Sequence, residues 1–487
     1  MFEYLTEEKF YQLASSGKFI AVYKEFSADC ITPIHALHAL NNHEDIVLLE
    51  SADKDPQIGR YSCLGFDPLL EVKSFGSEIS LRSEKGVSLL EGDPMEILRR
   101  QLKKYACEVS RALPGFVGGA AGFFSYDAVR YFEDIPDSHS NPENFPDVFF
   151  QFFQKVLVFD HMTHKLTIVY VTKPEGEIKN TYQRALENIQ QIYDSLSCPQ
   201  PSRDFPKTKI AHQSTIDMED KDFHEKVAKA KDYIKSGEAF QVVISRSFRR
   251  PFYGSSLDVY RALRMTNPSP YMFYFKNKDF SVVGASPEKF ASLKNGALEA
   301  IPIAGTYPIQ TEESLEEMTS KLRADPKEDA EHMMLVDLAR NDLGKVAKTS
   351  SVRVENLKTI QKLTHVLHLV SHVKGQIKNG LDCFDLIKAA FPAGTLSGAP
   401  KIRAMEIIDE LEQSKRNLYG GAICMIDSFG NLDSCIAIRM AIIKKDLALV
   451  RAGAGIVADS VPEKEAEETR YKAKAVLHAL DLAEAGL

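Results

Sequence analysis

Apolar runs of strand length recur along this chain without the regular strand, helix, strand alternation of a parallel sheet, and that irregular spacing narrows its fold most. Strands are expected at 45–51, 149–159 and 165–171 in the first part, and at 239–245, 279–284, 420–426, 435–443 and 447–451 in the second. Between them the apolar period of helices appears at 94–105, 179–196, 221–236, 329–340, 400–411 and 462–483, with Gly237 placed to end the third. The class that follows is α+β: large, mostly antiparallel sheets with flanking helices. At 487 residues the chain exceeds what one core usually organises. The Pro- and Ser-rich stretch 195–206 is its most loop-like segment, so an N-terminal lobe over 1–200 and a second domain over 215–487 are expected.

A formal net charge of −8, a pI near 6.0 and the lack of any long Lys/Arg run exclude an electrostatic footprint for nucleic acid. A small-molecule substrate fits better. Acids stand near the N-terminus where a signal peptide has basic residues, and no apolar run reaches membrane-span length, so the expectation is a cytoplasmic protein without membrane contact. Seven cysteines, odd in number and scattered without C-x-x-C spacing, argue against a disulfide framework or a zinc knuckle.

Two helix starts carry more acid than capping requires. In Asp325-Pro326-Lys327-Glu328 the first residue suits the N-cap and Glu328 the capping-box position, which leaves Glu331 on the same face. In Ser460-Val461-Pro462-Glu463 a capping box leaves Glu465 and Glu468, again three apart. Four carboxylates without His or Cys suit Mg²⁺; acidic first turns also simply complement the helix dipole. The loop Ala393-Gly394-Thr395-Leu396-Ser397-Gly398 before Pro400 has the make-up of an anion pocket, or of an ordinary turn. Gly453 and Gly455 allow close backbone approach to a ligand. Arg439, within an apolar strand, needs either an anion or an edge position in water. Strand alternation over 364–372 puts His368 and His372 on one face and His365 on the other.

Taken together, the segments Phe240-Gln241-Val242-Val243-Ile244-Ser245, Gly284-Ala285-Ser286-Pro287-Glu288, Pro302-Ile303-Ala304-Gly305-Thr306, Asp337-Leu338-Ala339-Arg340-Asn341-Asp342, the Thr395 loop and the Glu465 helix resemble the chorismate-utilising enzymes over roughly residues 220–480. Members that add water carry Lys where Gln241 stands, and aminodeoxychorismate synthases often carry Lys in place of Ala304. The pair found here looks like the anthranilate synthase branch, with aminodeoxychorismate synthase as the alternative. Ile301 and Tyr307 depart from the Arg residues that many relatives carry there.

The resemblance implies chorismate and ammonia as substrates and Mg²⁺ held by Glu328, Glu331, Glu465 and Glu468. It further implies substrate contacts from Thr395, Tyr419, Arg439, Gly453 and Gly455. The implied catalytic set is Glu288 as general acid, His368 in the aromatising step, Thr306, Gln241, and Lys472 for positive potential. Leu48-Leu49-Glu50-Ser51 and Asn267-Pro268-Ser269-Pro270-Tyr271-Met272 look like the two halves of a tryptophan inhibitor site, formed by Glu50, Ser51, Pro270, Tyr271 and Met272. No cysteine sits in a G-x-C-x-G setting, so a separate glutamine amidotransferase subunit (component II) is implied. The complete absence of Trp is consistent with an enzyme that must be translated when tryptophan is short.

Overall fold

The computed structural model describes residues 2–52, 59–109, 113, 115–197, 212–309, 314–362 and 366–487. A long antiparallel pair, Tyr61–Phe75 with Val148–Asp160, is the spine from which two arms of sheet diverge. The first arm continues through Ile46–Glu50, Tyr271–Lys276, Ser281–Ser286, Met440–Lys444, Leu447–Ile456 and Gln241–Pro251. The second runs through Ala120–Phe124, Ala422–Ile426, Leu432–Ile436, Lys289–Lys294, Ala297–Ala300 and Val366–Gln376. Every one of these pairings is antiparallel, as expected; among the described residues a short parallel pairing joins Phe19–Ser27 to Cys107–Glu108. Each arm mixes strands from both parts of the chain: Ile46–Glu50 lies beside Tyr271–Lys276, and Ala120–Phe124 beside Ala422–Ile426. Of the loop-like stretch 195–206, residues 198–206 lie outside the described residues.

Aromatic packing shows what holds the arms in place. Phe123 stacks on Phe145 and Phe149 with ring centroids 5.3 Å apart and meets Phe275 edge-on at 6.0 Å, so N-terminal and C-terminal strands share one cluster. All four rings are buried, each contributing about 1.5–3 kcal/mol by removal from water and about 0.5–1.5 kcal/mol more per well-oriented pair.

Helix ends follow local chemistry. Gly237 adopts φ +84° after Asp220–Lys235, and the amides of Gly237 and Glu238 bond back to Ile234 and Tyr233, a Schellman end that an L side chain would strain. Asp93 caps Pro94–Tyr105, and Asp325 caps Pro326–Val346 by accepting from the amides of Lys327 and Glu328.

Some expectations fail. The strand expected over 435–443 is two strands, Leu432–Ile436 and Met440–Lys444, one in each arm. The expected 393–398 loop contains a one-turn helix, Gly394–Ser397, followed by a two-residue strand against Gln241–Pro251. Ser460 does not cap the last helix: Val461 occupies that position, and the Ser460 hydroxyl accepts the Val457 amide instead. The N-terminal part also holds helices Glu7–Ala14 and Pro33–Ala39, each capped by a threonine, whose short apolar stripes escaped detection.

Candidate active site

The site forms where chain crosses from one arm to the other. Ser281–Ser286 belongs to the first arm and Lys289–Lys294 to the second, so Pro287 and Glu288 make one crossover. Ala437 to Arg439 make the return crossover beside it, tied by the Ala285 amide to the Arg439 carbonyl at 3.1 Å and the Ile436 amide to the Glu288 carbonyl at 3.0 Å. Arg439 therefore lies outside any strand, with φ +52°, and its Nη1 donates to the Lys472 carbonyl at 2.9 Å. Burial holds its pKa below the ordinary guanidinium value, an environment that rewards an anionic partner.

One wall is a glycine cradle. Gly453 and Gly455 pair with Ser245 and Val243 in neighbouring strands. A Cβ on Gly453 would come within 2.8 Å of the Ile244 carbonyl and 2.9 Å of the Tyr419 hydroxyl; one on Gly455 would stand 2.5 Å from Gln241 Nε2. The Tyr419 hydroxyl and the Gln241 amide thus rest directly over bare backbone. Gln241 Oε1 is buried and has no hydrogen-bond partner among the described residues, a costly acceptor until a donor reaches it.

Glu288 is half-buried as a residue, yet its carboxyl is enclosed: desolvation pushes its pKa up to about 7, opposed by a hydrogen bond from Thr395 Oγ1 to Oε1 at 3.0 Å and by the charge of Lys472. Lys472 Nζ donates to the Gly453 carbonyl at 3.0 Å and pairs with Glu468 at 2.5 Å. Gln241, Glu288, Thr395, Tyr419, Arg439, Gly453, Gly455, Lys472 and Glu468 are linked in this way.

Two of the remaining acids, Glu331 and Glu465, feel the charges of Glu468 and Lys472. Burial raises the pKa of Glu331, and the charge of Glu468, from the other helix, raises it further; Glu465 is raised by burial and again by Glu468, while Ser460 hydrogen-bonds to it. Glu328 lies one turn before Glu331 on Pro326–Val346. Among the described residues no three His, Cys, Asp or Glu groups converge closely enough to form a metal cage. The chemistry of the set nevertheless fits a hard divalent cation: mutually repelling carboxylates, partly withdrawn from water, gain most from a positive ion.

His368 stands opposite Thr306 in the pairing of Ile303–Pro308 with Val366–Gln376, strands on which the Pro326–Val346 helix packs; Thr306 is described only through this backbone pairing. His372 contacts Glu299 at 3.2 Å, and Glu299 in turn pairs with Lys289. His365 lies outside the described residues.

A buried network behind Tyr419 escaped detection. Glu412 accepts from the Ser245 amide and hydroxyl, from Arg416 and from Arg451 at 2.6–3.2 Å, and Arg416 donates to the Leu396 carbonyl at 2.6 Å. It braces both the Thr395 turn and the strand under Gly453. Glu412 and Arg416 stand in a polar run, Glu412 to Asn417, so nothing local in the sequence marks the buried pairing that offsets the cost of withdrawing these charges from water.

The two segments expected to form an inhibitor pocket do meet. Met272 is the register partner of Glu50, and the Ala52 amide donates to the Ser269 carbonyl at 3.1 Å, beside Ser51 and Pro270. Glu50 is already occupied, accepting from Tyr260 at 2.6 Å, Arg264 at 2.8 Å and Ser62 at 3.2 Å. Tyr271 hydrogen-bonds to Asp433, in the strand that leads to the Arg439 crossover.

Known proteins resemble this chain in sequence and in fold. The sequence profile of the chorismate binding enzyme family matches residues 44–478. Anthranilate synthase component 1 of Acetivibrio thermocellus is 41% identical over 96% of this chain and 97% of its own length, and that of Aquifex aeolicus is 40% identical over 99% and 98%. The solved structure of anthranilate synthase component I from Streptococcus pneumoniae superposes with a TM-score of 0.77 at 36% identity, covering 86% of this chain and 92% of that one. MenF, the isochorismate synthase of Escherichia coli, shares the fold at 18% identity with a TM-score of 0.71 over 95% of each chain. On these matches the chain belongs to the chorismate binding enzyme family, and the relatives named here at 36–41% identity are first components of anthranilate synthases.

Proposed function

We propose that the chain is the large subunit of an anthranilate synthase, a lyase that converts chorismate and ammonia to anthranilate and pyruvate and thereby commits chorismate to tryptophan synthesis. The observation that carries this reading is an enclosed carboxyl with a pKa near 7, Glu288, within one site with an orphaned amide oxygen, Gln241 Oε1.

Arg439 and Tyr419 bind the enolpyruvyl carboxylate, the arginine by charge-assisted hydrogen bonds. Thr395 and the amides of Gly453 and Gly455 hold the ring carboxylate, under the positive potential of Lys472. Gln241 Oε1 accepts from ammonia, which needs no base to attack C2. Glu288, whose pKa of about 7 keeps a substantial protonated fraction at neutral pH, delivers its proton to the departing C4 hydroxyl. His368 assists loss of the C2 proton as pyruvate leaves and the ring becomes aromatic, with Thr306 beside it. Glu328, Glu331, Glu465 and Glu468 hold Mg²⁺, which when bound supplies positive charge to the ring carboxylate. Ammonia derives from glutamine in a partner amidotransferase, component II. Tryptophan inhibits from the pocket of Glu50, Ser51, Pro270, Tyr271 and Met272, and the protein works in the cytoplasm. Among the described residues no helix is long and apolar enough to cross a membrane.

The test is turnover of chorismate by the purified chain with Mg²⁺ and an ammonium salt, followed by mass analysis. Anthranilate with one pyruvate per turnover is expected, and glutamine should serve only when the partner is added. A product that keeps the enolpyruvyl group, or glutamine use by the single chain, would refute the reading.

A further inference from the structure

A cavity of about 420 Å³ opens in the N-terminal part, apart from the crossovers that build the active site. That volume is within the range of small-molecule pockets. Its back is apolar: Ile31 and Phe159 are almost wholly buried, while Met265, 69% exposed, stands at its mouth. Two arginines of the Ser256–Thr266 helix, Arg261 and Arg264, line the same space.

The charges there are unevenly satisfied. Of the bordering carboxylates, Asp160 is held by Arg60 at 2.8 Å and lies below its ordinary pKa, and Asp29 is out in water. His161 shares a 2.7 Å hydrogen bond with Ser62, and burial depresses its pKa, so it contributes no charge at neutral pH. Arg261 spends one terminal nitrogen on Asp258 at 2.8 Å. Arg264 bonds through Nε alone, to Glu50 Oε1 at 2.8 Å, so among the described residues both its terminal nitrogens remain available. A guanidinium with two unused parallel donors, beside a second arginine and before an apolar back wall, matches a planar carboxylate carried on an apolar body.

We propose that this cavity is a second ligand site, which takes a small amphipathic carboxylate: the carboxylate on Arg264 and Arg261, the apolar body against Ile31 and Phe159. The site is distinct from the pocket proposed for tryptophan, yet it touches that pocket through Glu50, which Arg264 holds directly and His161 holds by way of Ser62. A ligand that draws Arg264 toward the cavity loosens one of the bonds that immobilise Glu50.

The chain contains no Trp, so Met265→Trp places a single indole at the cavity mouth of the otherwise intact protein. Titration with 3-phenylpropionate should give a saturable change in its emission. Arg264→Lys in that background, which keeps the charge and loses the fork, should weaken affinity less than Arg264→Gln, Arg264→Gln should weaken it at least tenfold, and 3-phenylpropan-1-ol, with the same body and no charge, should give no saturable change. Arg261→Gln provides the same comparison should Arg264→Gln fail to fold. Absence of saturation into the millimolar range, an equal response to the alcohol, or affinity indifferent to both glutamine variants would overturn the proposal. The readout needs no turnover, so it stands or falls separately from the proposed reaction.

Discussion

Thr395 donates its hydroxyl to Glu288 Oε1 at 3.0 Å, a bond that favours the ionised form of a carboxyl that must be protonated to act as an acid. Thr395→Val removes that preference, so the alkaline limb of the kcat profile should move upward from its position near pH 7. KM for chorismate should rise as well, because the hydroxyl also contacts substrate. Glu288→Gln should lower kcat by roughly 10²–10⁴. Since the folded pKa of Glu288 lies above its unfolded value, its contribution to stability is complete at acid pH and fades as pH rises through about 7. The glutamine variant should therefore lose less melting temperature than the native protein between pH 5 and pH 9, measured by thermal denaturation.

Glu331 and Glu468 repel each other across two helices. Replacing either by Gln removes charge from the proposed cation site, so the Mg²⁺ concentration for half-maximal rate should rise at least tenfold while the melting temperature holds or increases slightly. Were they dipole partners alone, each would contribute about 0.3–1 kcal/mol to stability and nothing to rate. Glu463→Gln, on an exposed residue of the same helix, should leave the Mg²⁺ dependence unchanged.

The two cradle glycines should respond differently to the same methyl group. At Gly453 the added carbon meets the Ile244 carbonyl and the Ser245 Cβ, so strands must part. A loss of about 1–3 kcal/mol is expected together with a raised KM. At Gly455 the obstacle is the end of the Gln241 side chain, which can swing away. Gly455→Ala should keep its melting temperature and lose kcat/KM.

Glu412 neutralises Arg416 and Arg451 in the interior, and its own pKa is lowered. Glu412→Gln leaves buried guanidinium groups uncompensated, a cost of about 3–5 kcal/mol in chemical denaturation. Because a depressed carboxylate pKa gives stability that disappears as pH falls, the difference between native and variant protein should shrink in acid.

Ser51→Phe should abolish tryptophan inhibition while uninhibited turnover stays within several-fold. Met272→Thr should do the same at an additional stability cost of about 1–3 kcal/mol, since Met272 is 1% exposed. Inhibition that survives both changes would displace tryptophan to another pocket.

Helix ends were readable in the sequence because caps and apolar period are local: Asp325 at a start and Gly237 at a finish each speak within one turn. The glycines of the cradle were readable as close-approach positions, although not what approaches them. The crossover at Ala437 to Arg439 was not readable, because the chain is apolar on both sides of it and both flanking strands are buried, so alternation cannot show that one belongs to each arm. Ser460 looked like a cap by its spacing, but the Val457 amide competes for the same hydroxyl. Glu412 gave no signal, since it answers to Ser245, 167 residues away.

The interleaving of early and late strands in both arms sets a schedule for biosynthesis. Ala120–Phe124 emerges roughly 300 residues before its partner Ala422–Ile426, and Ile46–Glu50 well over 200 before Tyr271–Lys276, so the nascent chain carries open strand edges through most of translation. Such edges recruit other chains, which makes chaperone supply and translation rate determinants of yield. It also means that a fragment begun at residue 215 would be born with two edges that nothing in it can cover, however complete its set of catalytic side chains.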